Sequence, residues 1–262
     1  MNDRDIDEKN KIRQCFNKAA HSYDAAALLQ KEVVQQLLNT VFSMSLKPQN
    51  IIDIGSGTGY FTRMLAQHYS SSHIIGLDFA HSMTALAKKS ALSNEQYLCA
   101  DFEAIPLQDN TMDLIVSNLA IQWALNFPSV LREWHRILKP NATLIFSTFG
   151  KNTLNELRHS WSQIDEEKHV NSFLSLSTMK AQIERVFSFC EIKTEYKTIY
   201  FNDVFEIMRN LKNIGASHVI NRSKNPFKRR DVFALLEQNY QSFAVNNRLP
   251  TTYELVYFSI RK

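Results

Sequence analysis

The sequence predicts an α/β protein built on an open, mostly parallel sheet with helices on both faces. Three observations point there. Residues 50–54, NIIDI, are short, apolar and β-branched, and Gly55, Gly57 and Gly59 follow at spacing two before a helical pattern starts near Thr62. That is how an interior parallel strand and its turn should read. Four further short apolar runs follow before Phe149, with helical patterns between several of them. Asp53, Asp78 and Asp101 each end or follow one of these runs, which puts three acids on one edge of the sheet. Ligands of open α/β folds bind outside that edge.

In chain order, residues 7–20 read as a helix with Ile12, Phe16 and Ala19 or Ala20 on one face. The segment 16–30 leads on to a second amphipathic helix, marked by Val33, Val34, Leu37, Leu38, Val41 and Phe42 and ended by Pro48. Such a pair either covers a ligand or packs on the sheet. The glycine turn tolerates positive φ, admits a ligand close to the backbone and opens a helix whose first N–H groups are free. Asp53 can brace that turn or meet a ligand amine. The second strand, 73–77, closes on Asp78, where a carboxylate can accept both hydroxyls of a ribose. Ser82 and Met83 begin the next helix, with Ser82 as a candidate cap. Met83 suits either the core or the face of an adenine ring. The third strand, 96–100, precedes Asp101 and Phe102; there the acid can accept from an adenine amino group and the Phe102 N–H can reach a ring nitrogen. The fourth, 112–117, runs into NLAIQW. Leu131, Trp134, His135 and Leu138 mark a helix ending at LKP, and Asn141 tolerates a left-handed turn before the fifth strand, 142–148.

The pattern then changes. Residues 153–161 and 177–187 read as helices, and 189–199 as a long strand. Val204, Ile207, Met208, Leu211 and Ile214 form a helical stripe stopped by Gly215, with Phe205, Arg209 and Lys212 on a neighbouring face. RSKNPFKRR, 222–230, is strongly basic; 231–244 is helical again. A closing strand, 253–260, is apolar on both faces and therefore interior. Residues 202–250 read as an insertion between the last two strands, forming a lid.

With 262 residues, 44% hydrophobic and 21% charged, the chain suits one large soluble domain, or a domain with an insertion. A net charge of +4 does not by itself indicate nucleic-acid binding. Cys15, Cys99 and Cys190 are far apart and odd in number, so neither a disulfide framework nor a metal site is expected, and a reducing cytoplasm is. The acidic start carries no apolar signal run. The charge-free run 114–131 is interrupted by Asn118, Gln122, Asn126 and Pro128, which argues against a membrane span.

The spacing D-x-G-x-G-x-G differs from the G-x-G-x-x-G of dinucleotide sites. It resembles the first motif of the Rossmann-like, class I S-adenosylmethionine-dependent methyltransferases. Across nearly its whole length the chain resembles one family of these, the malonyl-acyl-carrier-protein O-methyltransferases of biotin synthesis. The resemblance rests on FNKAAHSYD with Gln30, IDIGSGTG, LDFAHSM, SNLAIQW, TFGKNTLNELRHSW, VNSF, MRNLKNIGASH and LPTTYEL. It departs at KPNA, where KP-x-G is commoner, and in a short basic loop near Pro226.

The resemblance implies a mostly parallel seven-stranded sheet with an antiparallel last strand. It implies a helical cover (1–47), a core (48–201 and 251–262) and a lid (202–250). It implies S-adenosylmethionine contacts at Asp53, Gly55, Gly57, Asp78, Met83, Asp101, Phe102 and Asn118, with Tyr23 and Gln30 from the covering side. Gln122, Trp123 and Phe149 would line the acyl pocket. Tyr23 would serve the chemistry, with Arg158, Arg209 or Lys212 as the cation for the substrate carboxylate. The implied reaction methylates the free carboxylate of malonyl-acyl carrier protein, or of malonyl-coenzyme A, without metal. Apart from the resemblance, the basic residues Arg209, Lys212, Arg222, Lys224, Lys228, Arg229 and Arg230 of the insertion either dock an acidic carrier or form a solvated face. A methyltransferase of quinones or other small molecules shares every cofactor residue and stays open as an alternative; its lid should be more continuously apolar. A nicotinamide enzyme is disfavoured by the glycine spacing. A nucleic-acid protein would need aromatics among the basic residues, and only Phe227 is there.

Overall fold

A computed structural model of the chain describes residues 3–222 and 230–262, so most of the basic segment lies outside the described residues. The elements run α1 (Asp3–Ala26), α2 (Leu28–Ser43), β1 (Asn50–Ile54), α3 (Tyr60–His68), β2 (His73–Asp78), α4 (His81–Lys89), β3 (Glu95–Cys99), β4 (Met112–Asn118), α5 (Phe127–Ile137) and β5 (Leu138–Phe149). They continue with α6 (Asn155–Ser162), α7 (Leu176–Ile183), β6 (Phe189–Phe201), α8 (Val204–Asn213), α9 (Arg230–Tyr240) and β7 (Leu249–Arg261).

The seven strands form one sheet in the order β3-β2-β1-β4-β5-β7-β6. β1 to β5 pair in parallel, with Ile52 of β1 between Ile75 and Ile115. β7 alone runs the other way, antiparallel to both β5 and β6. β1 leads the central crossing of the sheet because Ile51, Ile52 and Ile54 present apolar surface on both faces and are fully buried. The interior placement expected for the last strand holds: Leu255, Val256, Phe258 and Ile260 are all buried. On one face Trp134 of α5 meets Phe146 edge to face, and Phe146 stacks on Phe258 with 4.7 Å between centroids. On the other face α2, α3 and the segment between β6 and β7 cover the sheet through Val34, Leu37, Leu65 and Ile207.

Several boundaries differ from the sequence reading. α1 extends past residue 20 to Ala26, because alanines continue a helix that shows no apolar stripe there. α2 ends at Ser43, well before Pro48, where Ser45 turns left-handed at φ 50°. Ser82 does not cap α4; its N–H is taken by Asn17 of α1 at 2.8 Å. LKP belongs to β5, with Leu138 paired to Met112, and Asn141 makes the left-handed turn at φ 63° inside it. α7 stops at Ile183. Gly215 ends the turn after α8 at φ 77°, and a Cβ there would lie 2.7 Å from Phe16 of α1. Glycine is what lets these two segments close on each other.

Candidate active site

The glycine turn is locked from below. Gly55 and Ser56 donate their N–H groups to the carbonyl of Leu77 at 2.7 and 3.0 Å. Gly55 sits at φ 76°, and a Cβ there would lie 2.3 Å from the Ala120 Cβ. Asp53 is buried and accepts the Thr62 hydroxyl at 2.7 Å, so it ties the strand end to the first turn of α3. Burial pushes its carboxyl up to about 7, opposed by the Thr62 hydrogen bond and assisted by the nearby Asp78. Asp78 accepts the Gly57 N–H at 2.9 Å on one oxygen and the Ala80 N–H at 2.8 Å on the other. Burial raises it to about 6, and those two hydrogen bonds oppose the rise. Each carboxylate oxygen keeps a second lone pair.

Above the turn lies a cavity open to solvent. Gly55, Gly57, Asp78 and Asn118 line its polar side; Met83, Phe102 and Trp123 line its apolar side. Tyr23 closes it from α1. A Cβ placed on Gly57 would find the Tyr23 ring at 3.8 Å and nothing nearer, so the turn edge faces open space beneath that ring. Asp53 and Gln30 line an adjoining cavity with Lys31 and Tyr60. Asn118 spans the two, donating to the Gln30 carbonyl at 3.0 Å and accepting from Ser147 at 2.8 Å. Burial, and then the acids Asp78, Asp24 and Asp53, hold the Tyr23 phenol far above its ordinary value, so it stays protonated.

Asp101 does not line these cavities. Lys9 of α1 takes its carboxylate at 2.6 Å and also reaches Glu103 at 3.0 Å, which turns Asp101 toward the cover helix. No sequence spacing links residues 92 positions apart. Phe16 and Phe79 were not singled out as site residues and do line the cavity. Phe79 could have been found as the aromatic neighbour of Asp78; Phe16 could have been found in the helical face beneath Tyr23.

Across Tyr23 and Trp123 lies a larger chamber. Gln122, Trp123 and Phe149, named for the acyl pocket, line it; Gln30, named for the cofactor, lines it too. Gln122 is oriented by its bond to the Leu119 carbonyl at 2.6 Å. The rest of the wall was not foreseen. It comes from Leu154 and Leu157 beside α6, Met208 and Leu211 of α8, Tyr253 of β7 and a strap at Val170 and Phe173. Helical spacing explains Leu154, Leu157, Met208 and Leu211 as core, and only the fold turns them toward a hollow. Asn171 of the strap donates to the His218 carbonyl and accepts from the Ile220 N–H, both at 2.8 Å, while Glu8 of α1 pairs with His218 at 2.9 Å.

The three candidate cations separate. Arg158 is half-buried, one layer behind the chamber wall, with donors on the carbonyls of Thr153 (3.0 Å) and Asn171 (3.2 Å). Among the described residues no carboxylate pairs with it, and burial lowers its pKa. Arg209 and Lys212 are corrected: both are exposed and line neither cavity, because α8 turns Met208 and Leu211 inward instead. Among the described residues no cluster of three or more His, Cys, Asp or Glu could hold a metal ion, and no helix is long and apolar enough to cross a membrane.

The methyltransferase-domain family Methyltransf_11 matches residues 52–146. The malonyl-acyl-carrier-protein O-methyltransferase of Gallionella capsiferriformans is 36% identical, over 98% of this chain and 91% of its own. That of Serratia marcescens is 34% identical, over 97% and 96%. A solved structure of a putative methyltransferase from Bacillus halodurans superposes with a TM-score of 0.62 at 13% identity, over 87% of this chain and 98% of that one. At that identity the likeness is one of fold: the class I methyltransferase fold.

Proposed function

The chain belongs to the malonyl-acyl-carrier-protein O-methyltransferases, and from that premise we propose that it methylates the free carboxylate of malonyl-acyl carrier protein, for biotin synthesis. The observation that carries this reading is the 34–36% identity to malonyl-acyl-carrier-protein O-methyltransferases over nearly the whole chain; the acid- and glycine-lined cavity and the apolar chamber, which meet at Phe16, Tyr23, Leu119 and Trp123, suit a methyl transfer between them. Donor and acceptor sites thus share one wall.

The residues present suit S-adenosylmethionine. Asp78 offers lone pairs to a ribose diol, Met83, Phe79 and Phe102 offer an apolar slot to a purine, and Gly57 leaves the turn edge open. When bound, S-adenosylmethionine supplies a sulfonium methyl to which a carboxylate oxygen bonds while the carbon–sulfur pair stays on sulfur. The protein need not move a proton, since a malonyl carboxylate is ionised at neutral pH. Its residues position and exclude water. Tyr23, protonated, turns a phenol between the two sites. Gln122 and Trp123 hold the acyl end against that junction. Arg158 is a positioning residue: it clamps Thr153 to the strap and sets an unpaired positive charge behind the wall, which orients the malonyl carboxylate. Residues 1–47 act as a cover and 202–250 as a lid on the 48–201 and 251–262 core.

The test is to incubate the protein with methyl-labelled S-adenosylmethionine and malonyl-carrier protein. A base-labile labelled methyl ester on the carrier is expected. Labelling of a quinone in its place would overturn the assignment.

A further inference from the structure

β6 ends the sheet on the side away from the cofactor cavity. It is 13 residues long and pairs with β7 over its whole length; among the described residues no other strand joins it. In an antiparallel pair every second residue turns its N–H and carbonyl away from the partner strand, so β6 presents a row of backbone groups along its outer side. Arg248 donates to the Tyr200 carbonyl near the end of the strand. A long edge of this kind is a template for a further strand unless its side chains prevent it.

The side chains of β6 alternate between faces. Glu191, Lys193, Glu195 and Lys197 share the face toward α2, where Glu195 and Lys197 stand beside Leu29 and Val33. Acid and base strictly alternate along it. Glu32 of α2 holds Lys197 at 2.9 Å, whereas Glu191, Lys193 and Glu195 have no ion-pair partner among the described residues. On the opposite face Ile192 packs half-buried on the core, and Tyr196 is 58% exposed. Lysines alone would guard the edge by repelling a second copy. The acids between them reverse that, because the series is complementary to itself when read backwards. With a two-fold axis at Thr194, Lys193 faces Glu195 of the second copy and Glu191 faces Lys197, each contact occurring twice. On the other face Ile192 then faces Tyr196, a β-branched residue against an aromatic. An axis at Lys193 would set Glu191 against Glu195, and one at Glu195 would set Lys193 against Lys197. Charge therefore selects one register and opposes its neighbours.

We propose that β6 is a self-association edge, on which a second copy of this chain adds its own β6 antiparallel about Thr194 and continues the sheet across an isologous dimer. The inner contacts, Lys193 with Glu195, carry most of the selectivity, since Lys197 already has Glu32. The proposal is independent of the reaction assigned to the chamber.

Sedimentation equilibrium of the whole chain across the micromolar range tests it, where an interface this small should associate. The wild-type chain should approach twice its own mass, and added salt should shift it back toward the monomer. Lys193→Glu sets acid against acid twice, and Glu195→Lys sets base against base twice. Each alone should weaken self-association about tenfold or more. An equimolar mixture of the two variants should associate at least as tightly as wild type, because unlike copies then meet only through opposite charges. Tyr196→Ser should weaken the dimer without salt dependence of its own. Far-UV circular dichroism checks that each variant is folded. A wild-type chain that stays monomeric would overturn the proposal. So would a dimer that both reversals leave intact, or folded variants whose mixture associates no better than either alone.

Discussion

The two cavities that meet at Tyr23 are built on different principles. The cofactor side is made of backbone. Its glycines take left-handed φ, its acids Asp53 and Asp78 accept from neighbouring N–H and hydroxyl groups, and its elements follow one another in sequence. The chamber is made of side chains from α6, α8, β7 and a strap without regular structure, joined by hydrogen bonds between distant residues. A backbone site fails when one atom is added. A side-chain site repacks.

The largest expected effect breaks the backbone site. Gly55→Ala adds a Cβ that would sit 2.3 Å from the Ala120 Cβ, at φ 76°. Left-handed strain and the clash together should cost roughly 2–5 kcal/mol of stability, read by denaturant unfolding. Adding Ala120→Gly should return the steric part and leave about 1–2 kcal/mol of backbone strain. By contrast Met208→Leu in the chamber wall should cost less than about 1.5 kcal/mol. If the two single substitutions cost the same, the contrast between the sites is wrong.

That contrast also separates what was legible in the sequence from what was not. The seven strands, the glycine turn and the acids on the sheet edge were readable because each rests on local pattern: β-branched runs, glycine at positive φ, an acid at a strand end. Tyr23, Gly57, Asp78, Met83 and Phe102 do come together as expected. Asp101 does not, because its partner Lys9 is 92 residues away in sequence and chain spacing says nothing of it. The helical part of the chamber wall, Leu154, Leu157, Met208 and Leu211, reads as core stripes, since a stripe facing a hollow has the same period as a stripe facing packed neighbours. Arg209 and Lys212 were misread for a related reason: a helix face is visible in the sequence, but which face turns inward is decided by α8 packing through Val204, Ile207 and Leu211.

A second prediction concerns Asp78. Asp78→Ala removes an ionised hydrogen-bond acceptor and should weaken S-adenosylmethionine binding about ten- to a hundredfold by calorimetry. The pH dependence sharpens it. Burial raises Asp78 to about 6 and Asp53 to about 7, above the ordinary 3.8. The folded protein therefore binds more protons than the unfolded chain, and these two groups make the free protein less stable as pH rises from about 4 to about 7. A ribose diol donates to the ionised carboxylate, so binding should favour that form. Affinity should then rise as pH passes through about 6, with protons released on binding. Asp78→Asn should flatten the profile near 6; a wild-type profile already flat from pH 5 to 8 would reject the assignment.

The smallest effects test the chamber side, where charge acts through a wall. Arg158 has its donors on Asn155, Thr153 and Asn171, and its guanidinium stands without a carboxylate among the described residues. Arg158→Met removes both clamp and charge. KM for malonyl-carrier protein should rise about tenfold, equivalent to about 1.4 kcal/mol, with S-adenosylmethionine affinity unchanged. Arg158→Lys keeps the charge and loses the planar fork, so its KM should fall between wild type and Arg158→Met. If the arginine served only to brace the strap, Lys and Met would be equally poor, because neither reproduces the two carbonyl contacts. Arg209→Gln and Lys212→Gln act on exposed charges that screening already weakens, and each should change KM by less than about twofold at 0.15 M salt. A larger loss at either position, with Arg158→Met near wild type, would move the carboxylate-orienting cation from the chamber wall to the outer face of α8.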